Sequence, residues 1–213
     1  GWILAVGIVA VVLGWLIIKW LYIGPAERKH DTWIRECLDK QALKRNGSVN
    51  ITRAQPTLTV PYKAIQIDLS LIENNDELYR EYTYARFRTN LFADKEFKIL
   101  RNSKDLLLKP LVFGTRLELR DEKFAESYIV TGNDGSFVND LLTQEIRDKL
   151  FAQSFHVKFG RRIDSSTLSR ERGWLSVFTQ GMRAGDEIFD GLIETAILLY
   201  ERMEALNSRV GSH

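Results

Sequence analysis

The sequence predicts an α+β protein, with a single N-terminal transmembrane helix followed by a soluble antiparallel-sheet domain whose helices pack on one face. An unbroken apolar run opens the chain, a period-two alternation dominates its middle, and a broad apolar stripe at helical spacing closes it. At 213 residues, 45% hydrophobic and 27% charged, the chain has material for one core. Its 30 Lys and Arg against 28 Asp and Glu are too evenly balanced for a nucleic-acid footprint. Cys37, the one cysteine, can form neither an internal disulfide nor a cysteine-based metal site.

Residues 1–24, GWILAVGIVAVVLGWLIIKWLYIG, carry a single charge, Lys19. The residues before it make about 27 Å of helix, and the turn through Ile23 reaches the roughly 30 Å of the hydrocarbon layer. Trp2 at one end, and Trp20 with Tyr22 at the other, suit the headgroup layers, and Lys19 can snorkel there. Gly24-Pro25 is expected to end the helix. A signal peptide would show a basic leader, a shorter apolar stretch and a small-residue cleavage site, none of which is visible. A soluble core helix would rarely be so apolar on every side.

Gly7, Ala10 and Gly14 share one helix face, with Trp15 near mid-span, which suits close packing against another transmembrane helix. Glycine is also simply common in membrane helices. The span has no His to ligate a haem or chlorophyll. Arg28 and Lys29, followed by Arg35, Lys40, Lys44 and Arg45, stand just beyond it as candidate lipid anchors. Their excess favours a cytoplasmic side for the large C-terminal part, on the cell (inner) membrane.

Residues 25–47 read as an amphipathic helix through Ile34, Leu38 and Ala42, lying either on anionic lipid or against the following domain. Asn46-Gly47 suits its C-terminal cap. The soluble α+β domain then spans 48–207, with 208–213 a fraying tail. Strands are predicted at 49–53, 65–71, 82–91, 97–99, 115–120 and 127–131, forming an antiparallel meander with a turn at Asn74-Asn75-Asp76. Gly132-Asn133-Asp134-Gly135 breaks this pattern, and 136–152 reads as one helix capped by Ser136 or Asp134. A strand over 155–159 turns His156 away from its apolar set, and 173–178 adds another strand. The last helix covers 183–206, where Asp186, Glu187 and Asp190 suit the positive end of its dipole.

Catalytic and cofactor signatures are missing: no GxSxG, HExxH, CxxC, P-loop or GxGxxG pattern occurs. The sequence therefore predicts no catalytic residue, no metal, no cofactor and no enzyme. Arg161, Arg162, Arg170 and Arg172 form the most basic local segment, suited to a phosphate, an acidic partner or lipid, or else to a solvated loop. The segment SYIVTGNDGSFVNDLLTQEIRDKL, residues 127–150, resembles a pattern in uncharacterised bacterial membrane-anchored proteins. There a strand, a Gly-Asn-Asp turn and a helix follow an antiparallel meander. The resemblance implies fold and membrane topology and no activity. The leading expectation is an accessory or scaffolding subunit that packs beside other transmembrane subunits of a larger complex, such as a photosynthetic or respiratory assembly. The alternative is a membrane-tethered binding module for lipid headgroups, an anionic ligand or a protein.

Overall fold

A computed structural model describes residues 15, 24–52, 55–73, 81–102, 115–161, 171–181 and 183–210. The chain divides into two compact units, Gly1–Cys37 and Leu38–His213. Helix α1 (Gly24–Arg45) passes from the first into the second. Asn46 then takes the left-handed conformation (φ 51°) and the Gly47 N–H returns to the Ala42 carbonyl at 2.9 Å, the stop that Asn46-Gly47 predicts. Pro25 lies inside α1, in a first turn where its missing N–H costs nothing.

In the second unit, β1 (Ser48–Thr52), β2 (Gln55–Tyr62), β3 (Ile65–Glu73), β4 (Glu81–Arg88) and β5 (Phe97–Arg101) follow one another. They are succeeded by α2 (Glu122–Ser127), β6 (Tyr128–Gly132), α3 (Gly135–Leu141), α4 (Gln144–Gln153), β7 (His156–Gly160), β8 (Trp174–Gln180) and α5 (Asp186–Val210). The eight strands make one antiparallel sheet in the order β1-β2-β3-β4-β8-β7-β5-β6. The predicted meander therefore holds only for β1 to β4. The last strand, β8, inserts beside β4, where its apolar run gains a neighbour on each side.

Strand alternation builds the core. Leu58, Leu69, Ala85, Val177, Val157, Ile99 and Val130 face one another in register across seven strands, and all are buried. Helix α5 lies over β3, β4 and β8, burying Phe189, Leu192, Ile193, Ala196, Leu199, Tyr200 and Met203. The Tyr200 ring meets Phe87 of β4 edge-on at 5.6 Å. Helices α3 and α4 pack on α5, while Phe124, Tyr128 and Phe151 form an aromatic cluster joining α2, β6 and α4. The end of α1 is tied to α5 by charge: Lys40 pairs with Asp186, Lys44 with Asp190 at 2.8 Å, and Arg45 with Asp190 at 2.6 Å.

Local chemistry explains where the elements differ from the sequence reading. Strand β2 escapes the pattern because Pro56 and Pro61 interrupt it. Pro56 lies beyond the residues paired with β3 and Pro61 beyond those paired with β1, so each stands where one side of the strand has no partner. Residues 115–120 form no strand; Arg116 makes a single bridge to Thr131, and α2 begins soon after because Asp121 accepts the Phe124 N–H at 2.9 Å. The one helix expected over 136–152 is two, since Thr143 leaves helical geometry and caps α4 through the Ile146 N–H. Asp134, rather than Ser136, caps α3.

No helix among the described residues is long and apolar enough to cross a membrane. The predicted span, with Trp2, Gly7, Ala10, Gly14, Lys19, Trp20 and Tyr22, lies outside the described residues except for Trp15, which is helical and exposed, and Gly24, which begins α1. The turn at 74–76 lies outside them as well. Arg28 and Lys29 lie on α1.

Candidate anion-binding site

Residues one step out of phase with the apolar row line the opposite face of the sheet. There Thr59, Asp68, Arg86, Ser176, Lys158, Lys98 and Thr131 stand in register, one from each of seven strands. At the usual strand spacing this polar row is about 29 Å long. The β1–β4 side is internally matched: Thr59 donates to Asp68 at 2.9 Å, and Asp68 faces Arg86 across the strand pair. The Arg86 guanidinium stacks 4.7 Å from the Tyr84 ring and 5.5 Å from Trp174.

The β5–β7 side carries two lysines. Lys98 and Lys158 are direct cross-strand partners. Both are half-buried, and burial holds the Lys98 ammonium below the usual lysine range, against a smaller opposing pull from Glu96. A cavity of about 430 Å³ opens beside them, lined also by Glu96, Thr131, Asn133 and Arg161. Three of its side chains are cationic and one is acidic. That acid, Glu96, faces Arg172 at 3.5 Å. The carboxamide of Asn133 is fixed in the wall: it accepts the Glu96 N–H at 2.9 Å and donates to the Asp94 carbonyl at 3.0 Å.

Of the four arginines singled out by sequence, Arg161 lines this cavity and Arg172 pairs with its rim. Arg162 and Arg170 lie outside the described residues. Lys98 and Lys158 went unnoticed; their only sequence signal is a lysine in the outward phase of each strand, and nothing local shows that the two strands adjoin.

The neighbouring polar groups are structural. Asp134 accepts the Phe137 N–H at 2.9 Å and meets Lys95 at 3.0 Å, and these two contacts hold its carboxyl below the usual range. Asp134→Ala is expected to cost about 1 kcal/mol, read from urea midpoints. His156 is buried, stacks on Phe178 at 5.2 Å, and accepts the Arg101 N–H on Nδ1 at 3.1 Å. Burial, with a smaller push from the Arg101 charge, lowers its pKa to about 4. It is a neutral core imidazole.

A wider groove of about 980 Å³ between α4 and α5 is acidic, but several of its acids are engaged within the protein. Asp190 meets Lys44 and Arg45, Glu194 meets Lys149 at 2.6 Å, and Asp148 accepts from Gln144 at 2.8 Å. Among the described residues, no three His, Cys, Asp or Glu side chains converge as metal ligands. No protein-family model matches the chain, and comparisons with curated proteins and with solved structures give no match.

Proposed function

We propose that this chain is a membrane-tethered binding module that holds an anionic ligand on the sheet face opposite α5. One observation carries the reading: Lys98 and Lys158 oppose each other at a half-buried position beside a cavity that Arg161 also lines. Two lysines and an arginine lining one opening favour an anionic occupant. The tether rests on the apolar run 1–24 and its aromatic ends. The full chain should stay with membranes through an alkaline carbonate wash. In non-ionic detergent, phosphate, succinate or citrate should raise its melting temperature above chloride at equal ionic strength. The rise should vanish in Lys98→Met/Lys158→Met. Equal melting in all four salts contradicts the reading.

An accessory subunit bracing a membrane complex is the second reading, favoured by a different surface. Among the described residues strand β1 is an edge strand paired with β2 alone, and Ile51 on it and Leu43 on α1 are 52% and 85% exposed. The Gly7, Ala10 and Gly14 face would add packing in the bilayer. Gentle extraction from native membranes tests it. Stoichiometric co-elution with one large assembly, lost when residues 1–24 are replaced by an unrelated span, supports this reading. Elution as a lone monomer or homodimer removes it.

A further inference from the structure

Independently of the anion cavity, we propose that the edge of β1 pairs antiparallel with β1 of a second copy of this chain, joining two sheets into one. The two ends of the strand order differ. Along β6, the Leu117 N–H donates to the Val130 carbonyl at 2.9 Å and the Gly132 N–H to the Thr115 carbonyl at 3.0 Å, so residues 115–117 close that edge. Among the described residues β1 pairs with β2 alone, and Ser48, Asn50 and Ile51 along it are exposed. Sheets commonly blunt an open edge with charge, proline or a bulge. The stretch Asn46–Thr52, NGSVNIT, has no charged residue and no proline, and its register with β2 runs without a bulge. Strand β2, by contrast, places Pro56 and Pro61 where one of its sides lacks a partner.

The pattern of the strand selects a second copy as its occupant. Ser48, Val49, Asn50, Ile51 and Thr52 read as hydroxyl, β-branched apolar, amide, β-branched apolar and hydroxyl, the same in both directions. A two-fold axis at Asn50 therefore sets Ser48 against the partner's Thr52, Val49 against the partner's Ile51, and Asn50 against the partner's Asn50. No charge enters the paired stretch. Val49 and Ile51 share the phase of the buried apolar row, because Val49 faces Leu58 across the β1–β2 pair. In the paired form that row runs on from one copy into the next. Ile51, half-exposed in the single copy, gains an apolar cross-strand neighbour there. An unrelated strand has to match this spacing through its own sequence, whereas a second copy matches it by symmetry. Main-chain hydrogen bonds supply the contact, and the alternating side chains set its register.

The test is disulfide trapping of the full chain in non-ionic detergent, with Cys37→Ser as the parent so that each introduced thiol is the only one. Opposed residues of an antiparallel pair lie about 4.5–5.5 Å apart at Cα, inside the span of a disulfide. Asn50→Cys is expected to cross-link to its own kind about tenfold or more faster than Ser48→Cys or Thr52→Cys alone, whose Cα atoms would stand roughly 13 Å from the same residue of the other copy. Mixing Ser48→Cys chains with Thr52→Cys chains should restore the fast reaction. Ser48 and Asn50 are both exposed, so the contrast between these two variants stands even where Thr52→Cys fails to fold. Equally slow reaction at all three positions overturns the paired edge. Equally fast reaction at all three, as colliding chains or parallel strands would give, overturns the antiparallel register. In native membranes, a cross-link from Asn50→Cys to a different protein in place of the self-linked dimer overturns the second copy and gives this edge to the accessory-subunit reading. None of these results bears on the anion reading, since no ligand takes part.

Discussion

Gly173→Ala is expected to be the most destabilising single-methyl change in the sheet, lowering stability by about 3 kcal/mol or more. Gly173 has φ +79°, and a Cβ there would lie 2.2 Å from the Thr89 carbonyl oxygen, an atom of the main chain that no rotamer change can move. The same close approach carries the Thr89 N–H to the Gly173 carbonyl at 2.9 Å, just beyond the Arg88–Trp174 pair. It thereby fixes where β8 enters beside β4. Loss of this junction should lower the melting temperature by about 10 °C, given the few degrees per kcal/mol usual at this chain length. Gly181→Ala is the control. Gly181 also has positive φ (+81°), but nothing lies within 4 Å of the added methyl, so only backbone strain of about 1 kcal/mol is expected. Equal melting temperatures for the two variants would remove the steric account of the junction.

Acid should weaken the fold through His156. The unfolded chain takes up this proton as pH falls through about 6.5, whereas the folded chain does so only near about 4. Between those values the unfolded state binds more protons, so stability is full above pH 6.5 and declines as pH drops towards 4. The gap corresponds to roughly 3 kcal/mol, a large share of a normal folding free energy. Carboxylates titrate in part of the same window, so the comparison is with His156→Gln, which keeps an acceptor for the Arg101 N–H. Urea midpoints between about pH 7 and about pH 4 should fall less steeply in the variant than in the parent. Parallel slopes would show that His156 stays uncharged in neither state alone, contrary to its buried, stacked position.

Periodicity made most of this architecture legible. The alternation of Ile65, Ile67, Leu69 and Leu71 reports β3 directly, because each apolar side chain turns to the same buried face. The stripe from Ile188 to Leu206 similarly reports α5. Where two local signals compete, the reading falters. Pro56 and Pro61 mask β2, and the short break at Leu142–Thr143 is hidden inside an otherwise helical apolar pattern. Strand order is a different matter. Nothing in the chain around Lys98 says that its partner is Lys158, because β5 and β7 are joined through three helices and β6. The candidate site depends on that pairing, so the sequence offers its arginine rim, Arg161 and Arg172, and leaves its lysine floor unread.

Amide hydrogen exchange of the full chain in neutral micelles, with and without inorganic phosphate at matched ionic strength, tests the central claim most directly. Slowed exchange over residues 96–100, 131–133 and 157–161, absent from Lys98→Met/Lys158→Met, is the predicted result. Slowing confined to α4 and α5, or no change anywhere in the sheet, would contradict an anion held between Lys98 and Lys158.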